Sequence, residues 1–228
     1  MRFDAAVIGL GGVGSAAIHA LAARGVSVIG FDAYDPPHAM GSSHGDTRLV
    51  RVAYAEGETY VPLARRAVAL WRDLNERSGE RLFDQTGVLY AGPDQGSMIA
   101  SVRHSAQRWS LALEDGREIP HARIPDDWAV LFEPEGGYAR PEAAISFFLR
   151  AATSAGAELR RSTPVDRLDR ISGTWRIEAA GETFEAAKVL LAAGGWTGRL
   201  RPALASLLTI ERRVHTWFDP AGTDFVQG

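Results

Sequence analysis

The stretch Phe3-Asp4-Ala5-Ala6-Val7-Ile8-Gly9-Leu10-Gly11-Gly12-Val13-Gly14 decides the fold. A short apolar run ends in a GxGxxG turn, and a helical pattern follows as far as Arg24, with Gly25 where helices end. A second apolar run over 26–31 closes on Asp32. Strand, glycine turn, helix and strand in about thirty residues predict a βαβ unit. Gly9 permits a tight turn, Gly11 lets backbone approach a diphosphate, and Gly14 lets helix and strand pack closely. The N–H groups of Gly11, Gly12 and Val13 then face phosphate at the positive end of the helix dipole. Asp32 stands where a carboxylate accepts from ribose hydroxyls, and it would repel a 2′-phosphate, which argues against NADP. The competing reading is an ordinary glycine-rich turn. The strand before, the helix after and the acid beyond favour a dinucleotide, while leaving FAD and NAD both open.

The rest of the composition fits a globular chain. Of 228 residues, 46% are hydrophobic and 23% charged, enough to bury a substantial core. Net charge is -3, and without a basic stripe nothing points to nucleic acid or an anionic membrane surface. Cysteine is absent, so the chain carries no disulfide, thiolate zinc site or cysteine-linked cofactor. The apolar N-terminus is interrupted by Asp4 and the glycines, unlike a secretion signal, and no apolar run reaches the roughly 18 residues of a membrane span. A cytoplasmic location is expected.

Periodicity predicts helices over 60–76, with Ala64, Ala67, Val68, Trp71 and Leu74 on one face, and over 97–109, 141–155 and 200–208. Strand patterns cover 87–91, 158–161, 165–171, 174–179, 183–185, 188–193 and 210–218, with strand character also over 130–138 and mostly loop over 111–127. Helices alternating with apolar strands imply an α/β fold: a Rossmann-like domain on a parallel sheet with inserted antiparallel hairpins, beside part of a β-rich domain. Residues 1–81 and 140–206 are assigned to the first, and 82–139 and 207–228 to the second.

The loop after Asp32 reads Asp35-Pro36-Pro37-His38, then Gly41-Ser42-Ser43-His44-Gly45-Asp46-Thr47-Arg48-Leu49-Val50-Arg51. It should pass over the dinucleotide near the carboxyl ends of the strands, where open α/β sheets place ligands. Its arginines suit an anionic substrate and an electron-rich ring. The bland alternative is surface arginines beside a loop turn. His38, His44 and Asp46 form no closed ligand set, so no metal is expected.

These residues, with Ala53-Tyr54-Ala55-Glu56-Gly57 and Tyr60-Val61-Pro62-Leu63, resemble the monomeric sarcosine oxidase and N-methyltryptophan oxidase family. Weaker likeness continues through Leu131-Phe132-Glu133-Pro134, Pro164-Val165 and Ala193-Gly194-Gly195-Trp196 to Arg212-Arg213-Val214. The resemblance implies FAD and oxidation of a small secondary N-methyl amine, with oxygen as acceptor. It implies that His44, Thr47 and Arg48 lie near the flavin ring and that Arg51 binds the substrate carboxylate. It also puts Ser42, Val165, Gly194 and Trp196 at the cofactor. A cation such as Arg48 would stabilise the anionic reduced flavin. An NAD-dependent dehydrogenase and a non-catalytic FAD-binding remnant are the alternatives.

The family's chains continue well past the length of this one, and 110–125 is shorter than in its relatives. The family's flavin-linking cysteine has no counterpart, and the only lysine, Lys188, lies in a strand unrelated to the family's lysine roles. The expectation is therefore a truncated product with uncovered sheet edges, impaired stability and little oxidase turnover. Cooperative unfolding with robust peroxide release from sarcosine would overturn it.

Overall fold

The computed structural model describes residues 1–118, 124–211, 214 and 216. The chain opens with β1 (Arg2–Ile8), α1 (Gly12–Ala22) and β2 (Val28–Phe31). There follow β3 (Arg48–Val50), α2 (Val61–Ser78), β4 (Phe83–Asp84), β5 (Val88–Pro93), α3 (Ser97–Trp109), β6 (Glu114–Asp115), β7 (Trp128–Glu133) and β8 (Gly137–Ala139). The last elements are α4 (Pro141–Ser154), β9 (Glu158–Arg160), β10 (Val165–Ile171), β11 (Thr174–Ala179), β12 (Glu182–Leu191) and α5 (Thr197–Leu200). The described residues form two units, one of Met1–Asp46 with those from Pro141 onward and one of those between Thr47 and Arg140.

In the first unit a six-stranded sheet runs in the order β10-β11-β12-β1-β2-β9. β12, β1, β2 and β9 are parallel, and β10 and β11 add antiparallel pairs at one edge. Alternate side chains of a strand point to opposite faces, so a segment covered on both sides must be apolar throughout, as Ala5–Ile8 of β1 and all of β2 are. Ala5, Val7 and Val28 pack on one face against Ile18 and Ala22 of α1 and Ile145 and Leu149 of α4. On the other, Ala6, Ile8, Ile29 and Phe31 meet Leu168, Ile177, Ala179, Phe184 and Ala186. The rings of Phe31 and Phe184 pack edge to face with centroids 5.1 Å apart.

The segments expected over 183–185 and 188–193 are one strand. β12 is shared, its first half pairing with β11 and its second with β1, so it needs no turn where its apolar pattern lapses. The residues expected as a helix over 200–208 form a 3₁₀ turn over Pro202–Leu207 after the short α5. The strand expected over 210–218 lies partly outside the described residues, and Ile210, Glu211, Val214 and Thr216 adopt no strand.

The second unit holds two three-stranded sheets, β3-β8-β4 and β5-β7-β6. β3, expected as loop, becomes a strand because β8 offers it a partner, with Arg48 opposite Ala139. Phe83 of β4 packs with Val52, Val61, Ala64 and Val68. The division between units therefore falls at Asp46/Thr47 rather than after 81: α2 buries its apolar face on β4 and the β3 exit.

At the centre of this unit sits Glu133, 1% exposed. Its Oε1 accepts the Val52 N–H (2.7 Å), and its Oε2 accepts the Ala53 N–H (2.9 Å) and the Tyr90 hydroxyl (2.8 Å). A buried carboxylate is tolerated only when its lone pairs are met in this way. Burial, together with the adjacent Glu133 charge, raises the Tyr90 phenol far above its ordinary pKa, so it stays a donor. Replacing Glu133 by Ala strands two buried N–H groups. Urea unfolding should show a loss of about 3 kcal/mol, against about 1 kcal/mol for Tyr90→Phe.

Candidate cofactor site

Backbone hydrogen bonds bring the carboxyl ends of the four parallel strands into line. The Gly9 N–H donates to the Phe31 carbonyl (2.8 Å), Ala192 N–H to Ile8 (2.8 Å) and Asp32 N–H to Arg160 (3.1 Å). Gly9 has φ +94°, and a Cβ there would lie 2.4 Å from the Ala192 carbonyl oxygen. Only glycine satisfies both conditions. A Cβ on Gly14 would fall 1.7 Å from the Gly9 oxygen, so this residue is what lets α1 start directly over the turn. Gly11 differs: a Cβ there would meet nothing nearer than the Ser43 hydroxyl at 3.8 Å. The space beside Gly11 is open to a ligand.

Gly11 is also the N-cap of α1. No side chain caps it, and the first turn contains no acid. Gly12 and Val13 are exposed there, Val13 by 72%. An exposed helix start without a capping side chain is a ready anion site.

Asp32 faces this turn. It is 7% exposed, and its Oδ2 accepts the Leu10 N–H at 2.8 Å while its Oδ1 accepts the Tyr34 N–H at 2.9 Å. The Thr163 N–H donates to the Asp32 carbonyl at 2.6 Å, which brings Val165, at the start of β10, close to the same strand end. Gly194 and Trp196 form a 3₁₀ turn that follows Ala192 and Ala193, the residues packed against Gly9. The loop bearing Ser42 and His44 lies alongside: Ser43 abuts Gly12, and the Gly45 N–H donates to Glu142 of α4. The first unit thus gathers Gly9, Gly11, Gly12, Val13, Gly14 and Asp32, with Val165, Gly194 and the Ser42–His44 loop around them.

Thr47, Arg48 and Arg51 belong to the second unit. Arg48 stands exposed on β3. Arg51, just beyond it, is ion-paired with Glu56 and lies over the Tyr54 ring, 4.9 Å from its centroid. The hydrogen bond from Arg51 holds the Glu56 carboxyl below its ordinary pKa. Glu133 fixes the backbone N–H groups of Val52 and Ala53, the two residues after Arg51. Sequence reasoning passed over this role, although an acid ending the apolar run Ala129-Val130-Leu131-Phe132 was a signal for it.

The chain matches the FAD dependent oxidoreductase family over residues 4–225. It belongs to that family. The likeness drawn from the sequence is also found among curated proteins. N-methyl-L-tryptophan oxidase of Citrobacter koseri is 40% identical over 97% of this chain and 61% of its own length. The Yersinia pestis (strain Pestoides F) enzyme of the same name is 38% identical over the same shares. The chain thus spans about three fifths of the length of these relatives. Among solved structures, NikD, an unusual amino acid oxidase essential for nikkomycin biosynthesis, superposes with TM-score 0.79 at 26% identity, covering 89% of this chain and 54% of that one. L-proline dehydrogenase from P. horikoshii shares the fold, with TM-score 0.77 at 23% identity, covering 92% of this chain and 57% of that one.

Membership selects FAD over NAD, the choice that the glycine fingerprint left open. The residues fit that cofactor: open space beside Gly11, an uncapped helix start and a buried acid at the next strand end. Among the described residues, no helix is long and apolar enough to cross a membrane.

The two central glycines should separate on mutation. Gly14→Ala forces a backbone clash and should cost about 3 kcal/mol in urea unfolding. Gly11→Ala should stay within about 1 kcal/mol of wild type, yet lose FAD retention on gel filtration.

Proposed function

We propose that this chain is the FAD-holding part of an oxidase of secondary N-methyl amines, sarcosine or an N-methyl amino acid. The net reaction is R–NH–CH3 with O2 and H2O giving R–NH2, formaldehyde and H2O2. The observation that carries this reading is the 40% identity to N-methyl-L-tryptophan oxidase across nearly the whole chain, joined to a glycine turn and buried acid arranged for a dinucleotide.

FAD would supply the two-electron acceptor and the route to oxygen. The chain's own residues have simpler tasks. Gly11, Gly12 and Val13 present N–H groups to the diphosphate, and Asp32 secures the adenosine ribose. Val165, Ser42, Gly194 and Trp196 line the cofactor. His44, Thr47 and Arg48 act at the flavin ring, where the Arg48 charge favours the reduced anion. Arg51 takes the substrate carboxylate, its guanidinium fork matching that group in shape and charge. In this reading the first unit is the cofactor domain and the second is part of the substrate domain.

Anaerobic titration of the FAD-loaded chain with N-methyl-L-tryptophan or sarcosine tests the proposal. Loss of the visible flavin band is expected, and Arg51→Ala should raise the half-saturating amine concentration about ten-fold or more without affecting reduction by dithionite. A flavin that stays oxidised with every N-methyl amino acid tried would sink the reading.

A further inference from the structure

The geometry points to His38 as a positioning residue for the adenosine half of the cofactor, which it serves by holding the Asp32 carboxylate and the loop above it. The inference rests on the dinucleotide reading of Asp32 and extends it to a side chain that the glycine fingerprint does not include.

The side chain is mostly covered, at 19% exposure, and its Nε2 lies 3.1 Å from Asp32 Oδ1. On the other side of the ring, Nδ1 accepts the Met40 N–H at 3.2 Å. An Nδ1 that accepts carries no proton, so the hydrogen of the neutral ring is on Nε2 and is donated to the carboxylate. The Tyr34 ring meets the imidazole edge on, with centroids 5.0 Å apart, and limits its rotation.

This contact gives the carboxylate a third partner. A carboxylate has about four acceptor positions. Oδ1 receives Tyr34 N–H and His38 Nε2–H, and Oδ2 receives Leu10 N–H. Among the described residues one position is left, on Oδ2, the oxygen that accepts from the glycine turn. His38 therefore closes the far oxygen to water and leaves the near one for a ribose hydroxyl. The same ring ties down the loop that goes on to Ser43 beside Gly12. Arg161 also reaches this loop, through Asp35 at 3.1 Å, but that pair is exposed and contributes little.

Binding of FAD and of ADP-ribose to the apo chain, followed by calorimetry, tests the assignment. ADP-ribose carries the adenosine and diphosphate without the flavin. His38→Phe keeps the bulk of the ring and removes the donor, and it should weaken both ligands by the same factor, about ten-fold. His38→Gln places an amide N–H near the Nε2 position and should recover most of the affinity, and thermal melting should confirm that each variant is folded. Unchanged affinity in His38→Phe overturns the inference, as does a loss confined to FAD, which would place the effect at the flavin end. If His38→Phe does not fold, His38→Ala takes its place under the same criteria. If the wild-type chain binds neither ligand, the cofactor reading itself fails and this inference fails with it.

Discussion

The hydrogen bond from the Leu10 N–H to the Asp32 carboxylate joins the glycine turn after β1 to the end of β2. It is buried, and one partner is charged, so it belongs to the stronger class of protein hydrogen bonds. Its geometry requires β1 and β2 to be adjacent and parallel, and it requires the chain after Gly9 to turn back sharply. The N–H of Gly9 donating to Phe31 reinforces the same alignment. With these bonds in place the start of α1 stands over the strand ends. Without them the first-turn N–H groups would have no fixed direction, and the electrostatic case for a diphosphate would lapse.

The two faces of the sheet explain why this turn can be rigid. On one side α1 and α4 pack through Ile18, Ile145 and Leu149, and on the other β10–β12 bring Leu168, Ile177 and Phe184 against Ile29 and Phe31. Close-packed interiors resist small displacements. The strand ends are the place where packing gives way to open backbone groups, which is why ligand chemistry collects there. Asp32 lies at that transition, buried enough to be held and near enough to the turn to act. In the second unit Glu133 performs the comparable task for the segment after Arg51, through main-chain donors rather than side chains.

Membership of the FAD dependent oxidoreductase family selects FAD as the cofactor, and the glycine turn is arranged as a site that fits it. The chain spans about three fifths of the length of its curated relatives.

Much of the architecture was legible in the sequence because it is local. The GxGxxG turn, Asp32, the apolar runs of β1 and β2 and the amphipathic face of α2 each follow from residue type and period. The tertiary structure decided what depends on residues far apart in the chain. β3 exists because β8 pairs with it, β12 is continuous because it serves two neighbours, and residues 47–81 join the second unit because α2 covers β4. Glu133 has no assigned role in the sequence until Val52, Ala53 and Tyr90 surround it, and His38 reads as a loop histidine until Asp32 and Met40 fix its tautomer. Period and propensity act over a few residues. The partners of a buried polar group are set by how the chain returns on itself, and only the folded structure records that.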